Sequence, residues 1–262
     1  MNLLTEIENG IATFTLNRPE VHNAFDEALI AELTEAYTNA GADDSVRAIV
    51  LQARGVSFCA GGDLGWMRRM ADYSAEENLQ DARGLAALMQ IVDECPKPTL
   101  ARVQGNAFAG ALGLLACSDI VVAVVDAQFA ITEVRIGLIP AVISPYLVRA
   151  MGARQARRYF LTAERFSARQ AEQLGLVHEV VVAENLDIAI GRHLRALTAA
   201  GPEALRATKR LLAGVDRPLC NEVIDDTAAR IAAIRATPEA REGIAAFFDK
   251  RKPAWHNESS KS

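Results

Sequence analysis

Two nearly unbroken apolar runs, residues 46–51 (VRAIVL) and 120–125 (IVVAVV), constrain this chain most, because each is short and is set between helical patterns. A strand that is apolar on both faces needs cover on both, as in a parallel sheet between layers of helix. The neighbouring patterns supply those helices. Asp26 stands as an N-cap before Leu29, Leu33, Ala36, Tyr37 and Ala40, which share one helical face, with Gly41 placed as the stop. Residues 75–92 predict a long helix ending before Pro96 and Pro98, and 110–118 a short one of small apolar residues. Residues 11–16 (IATFTL) alternate as a half-buried strand does, and Pro19 ends that run. With 99–103 as a further strand, the chain reads as an α/β domain with parallel strands. Beyond Gly152 strand signals fade except at 177–182. Helices are expected over 153–162, 168–174, 186–198, 202–212 and 219–236, followed by a polar tail from Asn257 that frays.

Composition excludes several classes. A chain of 262 residues can bury one core with an appendage. A net charge of -5 argues against a surface built mainly for nucleic acid or anionic lipid. Cys59, Cys95, Cys117 and Cys220 are far apart, which speaks against a zinc knuckle or dithiol site and for buried, reduced thiols. His22, His178, His193 and His256 lack metal-ligand spacing. No run reaches the roughly 20 apolar residues of a membrane helix, and the first ten residues carry no basic n-region. A soluble, cytoplasmic protein is expected.

Three segments carry chemistry. SFCAGGDL (57–64) and GNAFAGALG (105–113) each bring a small-residue backbone into a helix start, where N–H groups are unpaired. Facing each other, they would cradle an oxygen that gains negative charge; standing apart, they would be tight turns and nothing more. The third segment, AQFAITEVRIGLIP (127–140), places Glu133 among apolar residues. Desolvation would raise its pKa toward that of a general acid or base, whereas pairing with Arg135 or another arginine would make it structural. Trp66, Met67 and Met70 fit either an acyl pocket or a packed helix face. Arg68-Arg69 and Arg157-Arg158 fit anion binding or ion pairs. Tyr146 is placed where the chain would leave the active-site strand.

LNRPEVHNAF (16–25), FCAGGDL (58–64), GNAFAGALGLLACSDI (105–120), AQFAITEVRIGLIP (127–140), LTAERFSARQAEQLGLVHEVVV (161–182) and FFDKRKPAW (247–255) together resemble the enoyl-CoA hydratase/isomerase, or crotonase, family. The resemblance implies a crotonase-like spiral of ββα units over 1–200 and a C-terminal helical trimerisation region over 201–262. It implies a homotrimer, or a homohexamer made of two trimers. It also implies an acyl-CoA thioester as substrate, with no metal and no cofactor beyond that coenzyme A. By position, Gly62 and Gly110 match the N–H donors to the thioester oxygen and Glu133 a catalytic carboxylate. Ala24, Ala60, Asp63 and Leu64 match positions along the CoA. Phe247 and Lys250 match tail positions that reach the CoA of a neighbouring subunit in some members. A lysine common two residues after the Asp is Gly65 here.

The departure at Gly113 is informative. Hydratases of the family use two glutamates, and Gly113 stands where the first would be. DLGWM (63–67), TEVRIGLIPAVISPY (132–146) and ARRYFLTAERF (156–166) resemble the branch that hydrates 3-methylglutaconyl-CoA or isohexenylglutaconyl-CoA. A substrate with its own carboxylate would repel a second buried Glu, so the expectation is that Gly113 removes a charge and makes room for the branch. Gly113, Trp66 and Tyr146 then form the expected acyl pocket. A double-bond isomerase with the same single Glu, and a non-catalytic acyl-CoA or RNA-binding protein, are the alternatives.

Overall fold

The computed structural model describes residues 1–215 and 220–256. The chain opens with β1 (Leu3–Glu8) and β2 (Ile11–Leu16), an antiparallel pair, and then α1 (Glu27–Ala42). A pattern of strand, short strand and helix follows three times. First come β3 (Ala48–Ala53) and β4 (Ser57–Cys59) with α2 (Leu64–Ala71) and α3 (Ala75–Asp93). Next are β5 (Thr99–Val103), β6 (Asn106–Phe108) and α4 (Gly110–Cys117). The third set is β7 (Ile120–Val124), β8 (Gln128–Ala130) and, after a 3-10 turn at Glu133–Ile136, α5 (Ser144–Met151) with α6 (Ala153–Thr162).

Each pass adds one strand to each of two sheets, which makes a spiral of ββα units. The larger sheet has the order β1-β2-β3-β5-β7-β10, with parallel pairing from β2 onward, and β10 is Glu179–Val181. In the smaller sheet, β4, β6 and β8 are parallel and β9 (Phe166–Ser167) closes antiparallel on β8. Helices α7 (Ala168–Gln173), α8 (Leu186–Ala199), α9 (Pro202–Val215), α10 (Asn221–Arg235) and α11 (Pro238–Phe248) complete the chain. Among the described residues no helix is long and apolar enough to cross a membrane.

Local chemistry explains the elements. The Asp26 carboxylate accepts from the Leu29 N–H at 2.8 Å, and Leu29, Leu33, Tyr37 and Ala40 are buried as the helical spacing requires. β3 is buried along almost its whole length, as a strand covered on both faces must be. The Ser74–Glu77 capping box starts α3.

Several expectations need correction. Gly41 does not stop α1, which continues to Ala42; a Cβ at Gly41 would meet Pro96 at 3.3 Å, so close packing accounts for the glycine. Tyr146 lies in α5 and not at a strand exit, because Pro145 stands in the first turn of a helix, where its missing N–H costs nothing. Cys220 is exposed, unlike the other three cysteines. Strands β4, β6 and β8, three residues each, and helices α5 and α11 were not legible as elements. Leu219, expected within a helix, and the tail from Asn257 lie outside the described residues.

The first two turns of the spiral touch where the chain crosses between the sheets. A Cβ at Gly105, before β6, would stand 2.0 Å from the carbonyl oxygen of Val56, before β4. Gly105→Ala is therefore expected to cost about 3 kcal/mol or more of unfolding free energy. In urea denaturation a midpoint within error of wild type would refute this.

Candidate active site

Strands β4 and β6 run parallel, with Ser57 opposite Asn106 and Cys59 opposite Ala107, so the turns that follow them emerge side by side. Gly61, in the left-handed region at φ 92°, makes the closest approach. A Cβ there would meet Ala109 Cβ at 2.9 Å and the Phe108 carbonyl oxygen at 3.2 Å. The two small-residue turns thus meet in space. Ala109 has φ 51° and ψ -125°, a region that residues with a Cβ rarely enter. Its N–H donates to the Ala130 carbonyl at 2.9 Å, and its carbonyl accepts from Leu112 at 2.9 Å, which hold the strained peptide at the mouth of α4.

A third segment ties the turns together. Phe25 bridges to Gly62: its N–H donates to the Gly61 carbonyl and its carbonyl accepts from the Asp63 N–H, both at 2.7 Å. Its ring also lies 3.5 Å from where a Gly110 Cβ would stand, so one residue holds the first turn by its backbone and backs the glycine of the second with its side chain. Ala60 donates to the His22 carbonyl, which sets Ala24 and Ala60 on neighbouring strands of backbone, Ala24 buried and Ala60 exposed. Asn23, fully buried at φ 55°, pins this loop through Nδ2 to the Arg54 and Ser57 carbonyls.

Arg18 organises the loop's charge. Its guanidinium pairs with Asp26 at 2.8 Å and Asp63 at 3.0 Å and donates to the Ala24 carbonyl at 2.7 Å. Asp63 also caps α2 through the Gly65 and Trp66 N–H groups. Burial works upward on its pKa, but those N–H groups and the Arg18 charge hold it below the usual carboxylate value. Asp63 is thereby committed to shaping the turn, and Leu64 beside it is 75% exposed. Arg18, Phe25 and Ala109 escaped the sequence reading. For Arg18 and Phe25 the signal was their place in the 16–25 motif; the backbone angles of Ala109 left none.

Glu133 opens the 3-10 turn after β8, one strand over from Ala109. Its Oε2 is buried and meets no hydrogen-bond partner among the described residues. Burial raises its pKa above the ordinary carboxylate value, opposed in part by the N–H groups of Glu133 and Thr132. The alternative of an arginine pair fails: the Arg135 guanidinium donates to the Ala163 carbonyl at 2.6 Å, and no other arginine among the described residues reaches the Glu133 Oε2. An acid with one unpaired, desolvated oxygen is equipped to take up and release a proton.

The remaining candidates divide. Trp66 is buried, donates through its indole N–H to Asp81 at 3.0 Å, and lies 3.8 Å from the position of a Gly62 Cβ; it is a packed support behind that glycine. Tyr146 is half-buried on α5, with the Arg149 guanidinium 5.6 Å from its ring centre. Phe247 is 78% exposed, and Lys250, at φ 54°, is exposed just past α11. Arg69 and Arg158 are ion-paired with Glu27 and Glu164.

Gly113 is where the structure overturns an expectation. The space its side chain would take is full: a Cβ would meet Ile143 Cγ2 at 2.3 Å and Met89 Sδ at 2.8 Å. Gly113 therefore makes room for Ile143 and not for a substrate branch, and α4 has no space for a glutamate at this position. Gly113→Ala is expected to destabilise by about 1–3 kcal/mol. The penalty should shrink in an Ile143→Ala background, and equal penalties in both backgrounds, measured by denaturation, would contradict this packing account.

Residues 6–258 match the family described as enoyl-CoA hydratase/isomerase. A crystal structure of an enoyl-CoA hydratase from Shewanella pealeana superposes with a TM-score of 0.95 at 44% identity, covering 97% of this chain and 96% of that one. Pseudomonas aeruginosa AtuE superposes at 0.94 with 37% identity, covering 98% and 100%. A Thermus thermophilus protein bearing an enoyl-CoA hydratase name is 36% identical over 251 residues, 95% of this chain and 99% of that one. With the two joined turns, the ββα spiral and a match over nearly its whole length, the chain belongs to the enoyl-CoA hydratase/isomerase family.

Proposed function

We propose that this protein is a hydro-lyase that adds water reversibly across the α,β double bond of a branched glutaconyl-type CoA thioester, 3-methylglutaconyl-CoA or isohexenylglutaconyl-CoA. The observation that carries the hydro-lyase chemistry is the meeting of the Gly61–Gly62 and Ala109–Gly110 turns, together with the unpartnered Oε2 of Glu133, while the branched glutaconyl class rests on the resemblance of residues 63–67, 132–146 and 156–166. In this reading the N–H groups of Gly62 and Gly110 hold the thioester oxygen. Polarised in this way, the β-carbon is electrophilic and the α-carbon can carry enolate character. Glu133 takes a proton from water as hydroxide adds to the β-carbon, and its carboxyl returns a proton to the α-carbon as the enolate collapses. One carboxylate thus serves as base and then acid, and no metal or redox group enters the balance.

The CoA runs past Ala24, Ala60, Asp63 and Leu64. Leu212, Ile224, Ile231, Ile244, Phe247 and Phe248 expose apolar surface on α9, α10 and α11, which suits assembly into a trimer or hexamer. In that assembly Phe247 and Lys250 would serve a neighbouring protomer's CoA. A second reading, double-bond isomerisation, is favoured by the packed space at Gly113, which leaves α4 without a second acid; the two differ in whether water enters the product.

Glu133→Gln is expected to lower kcat about a hundred- to ten-thousand-fold with a small change in KM. Because burial raises the carboxyl pKa, the acidic limb of the wild-type kcat/KM profile should lie above the usual carboxylate range. The effect on stability has the opposite sign. The fold retains the Glu133 proton more tightly than the unfolded chain does, so stability is full below the ordinary value of 4.5 and falls as pH rises through the raised one. The Gln variant should therefore melt above wild type at about pH 8 and with it near pH 4; a Gln variant that melts lower at both would refute the unpaired-acid assignment.

Substrate class is tested by following loss of the enoyl chromophore with 3-methylglutaconyl-CoA, isohexenylglutaconyl-CoA and crotonyl-CoA. The branched substrates should be hydrated with the higher kcat/KM. Good crotonyl-CoA hydration with neither branched substrate turned over would overturn the assignment, and double-bond migration without uptake of labelled water would favour the isomerase.

A further inference from the structure

A cavity of about 740 Å³ lies between the C-terminal helices and the core, bounded by α9, α10 and the segment from Asp93 to Pro96. It is at the opposite end of the larger sheet from the joined turns. Asp119 on its wall precedes β7 and accepts from the N–H and hydroxyl of Thr99, the first residue of β5, whereas Gly110 follows the far end of β5 by way of β6.

The charges around this cavity do not balance. Lys209 pairs with Asp119 at 2.6 Å and also donates to the Lys97 carbonyl, Arg149 pairs with Asp93, and Arg230 pairs with Asp226 outside the lining. Arg206 and Arg210 line the same space with no ion pair among the described residues. Glu94, the remaining carboxylate of the lining, accepts from the neutral Gln90 side chain and keeps its charge, so it offsets one of these two guanidiniums and leaves the other. The Nε of Arg206 is buried without a hydrogen-bond partner. Lys97, 6% exposed, lies near enough to Arg206 that burial and then that charge press its pKa down, while the Asp44 and Asp43 carboxylates work upward on it. Arg206 and Arg210 thus bring two guanidinium charges to the cavity against the single remaining carboxylate of Glu94, an imbalance that a bound anion would relieve.

We propose that this cavity is a binding site for a small phosphate-bearing anion, held by the Arg206 and Arg210 guanidiniums beside Lys209. Two guanidiniums suit the tetrahedral oxygens of a phosphate or diphosphate, which accept forked N–H pairs. The site lies outside the residues proposed for thioester chemistry, so its occupancy can be changed without touching Gly62, Gly110 or Glu133. Nor does the inference depend on the identity of the acyl substrate.

Thermal melting of the full-length protein with inorganic phosphate, with pyrophosphate, and with sodium chloride at matched ionic strength tests the proposal. Pyrophosphate near a hundred times its Kd should raise Tm by about 5 °C, while chloride should not. Arg206→Met, which keeps the apolar stem and removes the orphaned Nε, should lose that rise; Arg210→Met, an exposed position, should weaken pyrophosphate binding at least about tenfold. Both variants should keep wild-type turnover of the preferred enoyl-CoA. A rise of equal size in chloride, or an undiminished pyrophosphate rise in Arg206→Met, would overturn the site. A drop in oligomer mass on light scattering for Arg206→Met, with no pyrophosphate effect in wild type, would also overturn it, because the arginine would then serve a neighbouring chain's carboxylate.

Discussion

The geometry of the site depends on the approach of Gly61 to Ala109, a contact with no room for a Cβ on the first residue. It exists because β4 and β6 pair in parallel and each leads directly into a glycine turn and a helix. Parallel pairing places equivalent ends of successive ββα units side by side, so two turns distant in sequence present their backbones to the same space. Phe25 fastens the arrangement by pairing with one turn and covering the glycine of the other.

Two features here are unfavourable for the fold alone. Ala109 is held at φ 51°, of order 1–3 kcal/mol above a relaxed backbone, and Glu133 keeps a buried oxygen unpaired. Both persist because the surroundings fix them: Ala130 and Leu112 grip the Ala109 peptide, and β8 delivers Glu133 from the centre of the small sheet. The neighbouring Cys59 thiol, pushed up to about 12 by burial, stays protonated and serves as packing beneath the turn. Charge in the same loop is treated differently: Arg18 bridges Asp26 and Asp63, and each carboxylate also accepts backbone N–H donation at the start of a helix.

Much of the fold was legible in residue patterns. The alternation in β2, the apolar run of β3, the Asp26 cap and the Thr99–Val103 strand reflect local burial and local hydrogen bonds, and short windows of sequence record these. Strands of three residues such as β4, β6 and β8 leave no such record, because one and a half pleats carry no periodicity. Gly41 looked like a helix stop and is a packing glycine against Pro96, a contact between residues 55 apart that no local pattern encodes. Tyr146 was misplaced for a similar reason: Ser144-Pro145 reads equally well as a turn or as a helix start.

By itself the sequence determined which residue types were available: two small-residue turns, one carboxylate in an apolar stretch, and strands that need cover on both faces. Only the tertiary structure decided that the turns meet, that Arg135 leaves Glu133 unpaired for the Ala163 carbonyl, and that Ile143 fills the space beside Gly113. The physical reason is range. Propensity and periodicity act over a few residues, whereas a close backbone approach, an orphaned oxygen or a filled cavity is a relation between segments that folding alone brings together.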